Sequence, residues 1–212
     1  MVLIMQKIIY NFLKRILDII GGIIGCILLV PMTIIIKIIS IINKDYDSIF
    51  FTQDRIGKNG KIIKIYKFRS MIPNAEKVLE ELMEKDPKIK EEYLKNKKLE
   101  KDPRITKIGW IIRKYSIDEF PQLINVLIGN MTLVGPRPYL LREKIDMGKY
   151  YDYVITCKPG ITGLWQVSGR SDISFKNRLK LDEKYASEKS IKLDITILLK
   201  TFKGVLGKKG AK

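Results

Sequence analysis

The longest departure from polar-apolar alternation lies near the N-terminus, where Ile19 to Ile36 runs without a single charge. As a helix this segment would extend roughly 27 Å, close to the ~30 Å hydrocarbon core of a bilayer. It is the chain's only plausible membrane segment. Pro31 sits inside it and removes one backbone donor. Lys7, Lys14 and Arg15 precede the run, and Lys44, Arg55, Lys58, Lys61, Lys64 and Lys67 follow it. Basic residues favour the cytoplasmic side, so both flanks pull the same way. A single crossing helix kinked at Pro31 explains the hydropathy alone. A re-entrant helix broken at Pro31, entering and leaving on one face, explains the flanks as well. An unsatisfied backbone group in hydrocarbon costs on the order of several kcal/mol, so protein must pack around such a break.

Beyond residue 43 the pattern changes period. Ser48 to Phe68, SIFFTQDRIGKNGKIIKIYKF, places two β-prone runs around Gly57-Lys58-Asn59-Gly60. Asn-Gly supplies the positive φ angles that a tight hairpin needs. Extended geometry would put Lys67 and Arg69 on one face. Asn74 to Leu99 carries Val78, Leu79, Leu82 and Met83 at helical spacing until Pro87, which reads as a solvated helix and a connection. RITKIGWIIRKY aligns Ile105, Ile108 and Ile112 on a helical face that leads to Arg113. Another helix is predicted from about Asp118 to Gly129, with the glycine ending it. LDITILLKTFKGVLG is amphipathic, with Ile195, Leu198, Leu199, Phe202 and Val205 on one face: a packed core helix, or a basic helix lying on anionic lipid. The predicted class is α+β, mainly helical, with a small β-hairpin and amphipathic interfacial helices. Residues 1–43 form the membrane segment and 44–212 a cytoplasmic unit.

Charge and composition narrow the chemistry. Forty Lys and Arg against 23 Asp and Glu leave a net charge of +17, which calls for an anionic partner: nucleic acid, an anionic membrane face or phosphorylated substrates. The chain has no histidine and only two cysteines, Cys26 and Cys157. Ser/His triads, Cys/His pairs and the usual zinc sites are therefore excluded, and acid, base or nucleophile work falls to carboxylates, lysine or tyrosine. Asp118 and Glu119 lead the candidates, set between arginines in RKYSIDEFPQLINVLIGNMTLVGPRP, residues Arg113 to Pro138. Ser116 to Glu119 also matches a capping box, which would make the two acids mere helix starters. Pro121 instead fits a first turn capped by Asp118, placing that carboxylate at the positive end of a helix dipole. Arg137, between Pro136 and Pro138, is restricted before any ligand arrives, and its planar fork suits phosphate oxygens.

Taken together, KRILDI (Lys14 to Ile19), QDRIGKNGK (Gln53 to Lys61), KFRSM (Lys67 to Met71), the Arg113 to Pro138 stretch and KPGITGLWQVSGR (Lys158 to Arg170) resemble the small monotopic phosphoglycosyl transferases, the bacterial sugar transferase family. The likeness covers roughly Lys7 to Val205. It implies an enzyme of the bacterial inner membrane whose catalytic domain, residues 44–212, works on the cytoplasmic face. Such an enzyme moves a sugar 1-phosphate from a UDP-sugar to undecaprenyl phosphate with Mg²⁺, releases UMP and starts exopolysaccharide or capsule synthesis. By the resemblance, Asp118 is the nucleophile and lies next to the metal, Glu119 assists the acceptor phosphate, and Arg113, Arg137, Lys67, Arg69 and Arg170 hold phosphate or structure the site. Nearby cations are expected to keep Asp118 ionised. The resemblance implies partners among the anionic lipids of the cytoplasmic leaflet and no nucleic acid, and leaves oligomeric state open. Where family members often carry Ser-Pro at the membrane break, this chain has Val30-Pro31, without the hydroxyl. The competing class is a non-catalytic, membrane-attached basic protein that binds nucleic acid or anionic lipid, which accounts for the charge but not for the paired acids.

Overall fold

A computed structural model describes residues 2–96, 99–169 and 173–206. Its first element, α1 (Val2–Ile42), is the one described helix long and apolar enough to cross a membrane. The helix continues through Pro31 with no interruption, so the break expected there is not a loss of helix. The Thr33 hydroxyl donates to the Leu29 carbonyl at 2.8 Å, so the turn around Pro31 does have a hydroxyl, supplied from two residues further on.

Only a narrow stripe of α1 is covered. Asp18, Gly22, Gly25, Leu29, Ile36 and Ser40 are buried, at spacings of three, four or seven that keep them on one side. A Cβ at Gly22 or Gly25 would press into Leu127 or Leu123, so these glycines let the helix Gln122–Ile128 lie close. The remaining surface is apolar and open: Phe12, Ile20, Ile24, Ile27, Val30 and Ile35 are all exposed.

The hairpin forms where the Asn-Gly pair predicts it. β1 (Phe50–Ile56) pairs antiparallel with β2 (Ile62–Phe68), and Ile56 opposite Ile62 closes the turn. Asn59 and Gly60 both take positive φ. Two helices, α2 (Ala75–Lys85) and α3 (Pro87–Asn96), then replace the single helix and connection, with Pro87 in the first turn of the second, where its missing N–H costs nothing. Leu79 is buried on α2. The arm stands on a buried ion pair in which the Arg104 guanidinium donates to both oxygens of Asp102 and to the Ala75 carbonyl.

Next come α4 (Lys107–Lys114), capped by the Thr106 side chain, and α5 (Gln122–Ile128), closed by Gly129 at φ 88°. β3 (Thr132–Val134) pairs in parallel with β4 (Gly160–Thr162), and between them lie the short helices α6 (Lys144–Met147) and α7 (Tyr151–Val154). The chain ends in α8 (Leu164–Val167), α9 (Phe175–Glu188) and α10 (Ile191–Leu206). The architecture is α+β and mainly helical.

Packing joins the helical stripe to this body. Leu29 and Ile36 of α1 share a core with Ile49, Phe68 and Ile112. Near the other end of the helix, the Lys14 ammonium donates to Asp194 of α10 at 2.7 Å and to the Val134 carbonyl at 2.8 Å, while Arg15 caps the last carbonyls of α5. On α10, Ile197 and Asp194 face inward whereas Ile195, Leu199 and Phe202 are exposed. Its apolar residues therefore divide between core and surface. Trp110 and Ile111 on α4 are exposed as well.

Candidate active site

Two backbone crossings build the site. The parallel β3–β4 pair continues into Gly135 and Pro136, where Gly135 donates to the Thr162 carbonyl and Gly160 donates to Pro136. A Cβ on Gly160 would overlap the backbone nitrogen of Gly135, so the two segments can cross only as glycines. This crossing places Pro136-Arg137-Pro138 beside β1: Ile56 donates to the Tyr139 carbonyl at 2.9 Å and Arg55 donates to the Pro138 carbonyl at 2.9 Å.

The second crossing carries the acids. Ser116 adopts a left-handed conformation at φ 56° and makes no side-chain cap, so the chain reverses direction after α4 and the capping box does not form. Asp118 and Glu119 occupy a tight 3-10 turn, Ile117–Glu119, and the helix predicted from Asp118 begins only at Gln122 with Pro121 as its cap. Asp118 is therefore not the dipole-capping residue. The turn is fixed from below by Ile117 and Phe120, which pack on the same core as Phe68 and Ile112.

Within it the two carboxyls differ. Lys67 of β2 donates to Glu119 at 3.1 Å. Burial alone would raise Glu119, but Lys67, with Arg137 and Arg55 beyond it, outweighs burial and holds this carboxyl below the ordinary range. Asp118 goes the other way, pushed up to about 6 by burial first and then by the neighbouring Glu119 charge, with Lys67 and Arg113 opposing. Burial and the adjacent like charge outweigh the cations in setting this value, yet above about 6 the carboxylate is ionised, as expected. Among the described residues no cation closes to ion-pair distance on Asp118, because Lys67 is turned to Glu119 and the Arg113 Nε donates to the Ser70 hydroxyl at 2.7 Å.

Of the phosphate-binding candidates, Lys67, Arg113 and Arg137 all act on the acidic pair. Arg69 does not belong with them. It lies just past the end of β2, donates to both Asp45 oxygens at 2.7 and 2.8 Å and to the Ser48 carbonyl at 2.6 Å, and so clamps the connection leaving α1. The shared strand face expected for Lys67 and Arg69 ends where the strand ends. Arg170 lies outside the described residues.

The fold adds residues that the sequence reading passed over. Arg55, 7% exposed, was counted only as a flanking charge, yet it faces Glu119 and Arg137, and burial lowers its pKa to about 10. Glu143 is buried 3.9 Å from Arg137 and accepts the Leu140 N–H. Asp182 is fully buried, and the guanidinium groups of Arg137 and Arg178 both lie over the Trp165 ring, 5.9 and 5.1 Å from its centroid. The QDRIGKNGK and GLWQVSGR segments held the signal for Arg55 and Trp165. Nothing local marked Glu143 or Asp182.

A cation could use what is left open. Mg²⁺ takes one or two carboxylates together with substrate phosphates and keeps several waters. The weakly neutralised Asp118 carboxylate fits that donor set, and among the described residues no cluster of three acidic or sulfur ligands offers a closed protein cage.

Comparison with known proteins gives a coherent result. The sequence model described as bacterial sugar transferase matches residues 9–208. An undecaprenyl-phosphate galactose phosphotransferase of Salmonella typhimurium is 44% identical over 95% of this chain and 42% of its own length. A galactosyl transferase CpsE of Streptococcus agalactiae is 47% identical over 94% of the chain and 43% of its own length. The exopolysaccharide production protein ExoY of Sinorhizobium fredii is 37% identical over 93% of this chain and 87% of its own length. The chain thus spans less than half of the first two relatives and most of the third.

Proposed function

Because the chain belongs to the bacterial sugar transferase family, we propose that it moves a sugar 1-phosphate from a UDP-sugar to undecaprenyl phosphate, at a membrane surface on the cytoplasmic side. The observation that carries this reading is the divided acid pair. Glu119 is held as an anion by Lys67, while Asp118 beside it is left without a committed cation, facing arginines suited to phosphate.

In the first half-reaction an Asp118 oxygen attacks the sugar-proximal phosphorus. The bond from that phosphorus to the bridging oxygen breaks, and UMP leaves with that oxygen. The product is a phosphosugar ester on Asp118. In the second, a phosphate oxygen of undecaprenyl phosphate attacks the same phosphorus, the Asp118 oxygen departs, and undecaprenyl-diphosphate-sugar is formed with the carboxylate restored. Glu119, kept anionic by Lys67, takes a proton from the acceptor phosphate when that phosphate arrives protonated. Arg137 and Arg113 orient phosphate oxygens as charge shifts toward the leaving group. Mg²⁺ held at Asp118 would supply neutralisation of the diphosphate.

The same packing supports a monotopic placement. A straight 41-residue helix is about 60 Å long, twice a hydrocarbon core. The body accompanies α1 along its stripe from Asp18 to Ser40, with Lys14 anchored before it, so a crossing helix would have to draw a basic domain into lipid. Burying the open apolar side of α1 in one leaflet keeps both ends on the side of the body. α4 and α10 also expose large apolar residues, Trp110 and Ile111 on the first and Ile195, Leu199 and Phe202 on the second, interspersed with exposed lysines.

Galactose is the first sugar to try, since two of the relatives are named for its transfer. The experiment is a panel of UDP-sugars with undecaprenyl phosphate and purified protein, scored by UMP release. Metal-dependent release from one or a few donors is the expected result. Salt-sensitive binding of nucleic acid or anionic lipid with no turnover from any donor would return the function to the non-catalytic class.

A further inference from the structure

Arg137 is flanked by two residues that have no N–H, so it carries the only backbone donor of the Pro136-Arg137-Pro138 triplet. That donor is taken by the Asp182 carboxylate of α9, at 3.2 Å. The hydroxyl of Tyr139, the residue after the triplet, donates to the same carboxylate oxygen at 2.7 Å. Asp182 is 0% exposed, and its second oxygen has no hydrogen-bond partner among the described residues. The Tyr139 ring also meets Phe175 of α9 edge-on, at 5.9 Å and 87°. One helix therefore grips both sides of the loop that presents Arg137. Arg178, one turn before Asp182 on α9, lies against the Trp165 ring that Arg137 also faces.

From this geometry we infer that Asp182 is a positioning residue for the transfer reaction: its carboxylate sets the backbone at Arg137 and thereby aims the guanidinium at the donor diphosphate. The inference rests on the role given to Arg137 in the proposed function. A bidentate phosphate contact depends on direction as well as charge, and a misplacement of about 1 Å can cost as much as 100-fold in rate. The prolines fix φ at positions 136 and 138, and Pro138 biases Arg137 toward extended backbone, but within that broad region the direction of the Arg137 peptide is set by what its N–H bonds. Asp182 supplies that bond from a separate element that is itself packed, with Leu179 and Tyr185 of α9 fully buried. Glu143 steadies the far side of the loop through Leu140 and lies 3.9 Å from the Arg137 guanidinium, but the Arg137 backbone N–H goes to Asp182 and not to Glu143.

The test is a double-mutant cycle read in kcat and KM for UMP release, with thermal melting as the check on folding. D182A should lower kcat/KM by about tenfold or more in the otherwise unaltered protein, and should add almost nothing in an R137A background. D182N keeps an acceptor oxygen for both donors, so it should recover much of the D182A loss, and its remaining deficit should also vanish with R137A. If D182A does not accumulate, the D182N pair carries the same comparison. Equal losses in both backgrounds, or no loss at all, would overturn the assignment while the transferase reading stands. Absence of UMP release by the unaltered protein from every UDP-sugar would overturn that reading, and this assignment with it.

Discussion

Lys67 reaches across from the second hairpin strand to bond Glu119 at 3.1 Å, and in doing so leaves the adjacent Asp118 without an ion-pair partner among the described residues. The pairing divides labour between two neighbouring acids. It also gives a directional expectation, because the Lys67 charge lowers both carboxyls. Lys67→Met should raise both, so loss of activity on acidification should set in at a higher pH than in the unaltered protein. Burst-phase UMP release across a pH series measures the shift. A profile that stays in place would remove Lys67 from the site's electrostatics.

Asp118 as nucleophile predicts a covalent intermediate. With the right UDP-sugar and Mg²⁺ but no lipid acceptor, UMP should appear up to about one equivalent per active site and then stop, and the protein should gain the mass of one phosphosugar. Asp118→Asn should abolish both, whereas Glu119→Gln should keep part of the burst. In the unaltered protein the burst should weaken as pH falls through about 6, where Asp118 gains its proton.

The same substitution should stabilise the protein. The folded-state value of Asp118 lies above that of an unfolded carboxyl, so the folded state binds this proton more tightly and stability declines as pH rises between the two values. Above about 6 the full cost of the buried charge is present. Asp118→Asn should therefore melt a few degrees higher at neutral pH, with the gap closing as pH falls toward the ordinary carboxylate range. An unchanged melting point at both extremes would mean that the carboxylate is solvated.

Arg69 and Arg137 should respond differently to mutation. Arg69 is bound to Asp45 and Ser48, so Arg69→Ala should cost about 1–3 kcal/mol of stability and leave KM for the UDP-sugar close to wild type. Arg137→Lys keeps the charge but loses the fork, and should lower kcat/KM by about tenfold or more, whereas the exposed Lys192→Ala should change little. Melting curves and steady-state kinetics on the three variants separate the two behaviours.

Topology is open to labelling in intact cells. Single cysteines placed at Asn11 and at Lys203, in a Cys26→Ser, Cys157→Ser background, should both be shielded from an impermeant reagent added outside. Labelling of one of them from outside would establish a crossing helix. Pro31→Leu removes the proline from α1 and should favour that crossing form.

What the chain determined on its own were features with a local cause. The apolar run gave α1, the Asn59-Gly60 pair gave the hairpin turn, Gly129 gave the end of α5, and the adjacency of Asp118 and Glu119 survives any folding because they are neighbours in the chain. Tertiary structure decided what depends on distance. It turned Ser116 left-handed so that the acids sit in a tight turn instead of capping a helix, and it gave Lys67 to Glu119 and Arg69 to Asp45 although only Phe68 separates the two cations in sequence. It left α1 helical through Pro31 and laid a narrow stripe of it along the body. It brought Arg55 from the hairpin, and Glu143 and Asp182 from the second half, around Arg137. Periodicity and turn chemistry act over a few residues and can be read in order. A carboxyl's proton affinity and an arginine's partner depend on burial and on charges from remote segments, and those arrive only when the chain closes on itself.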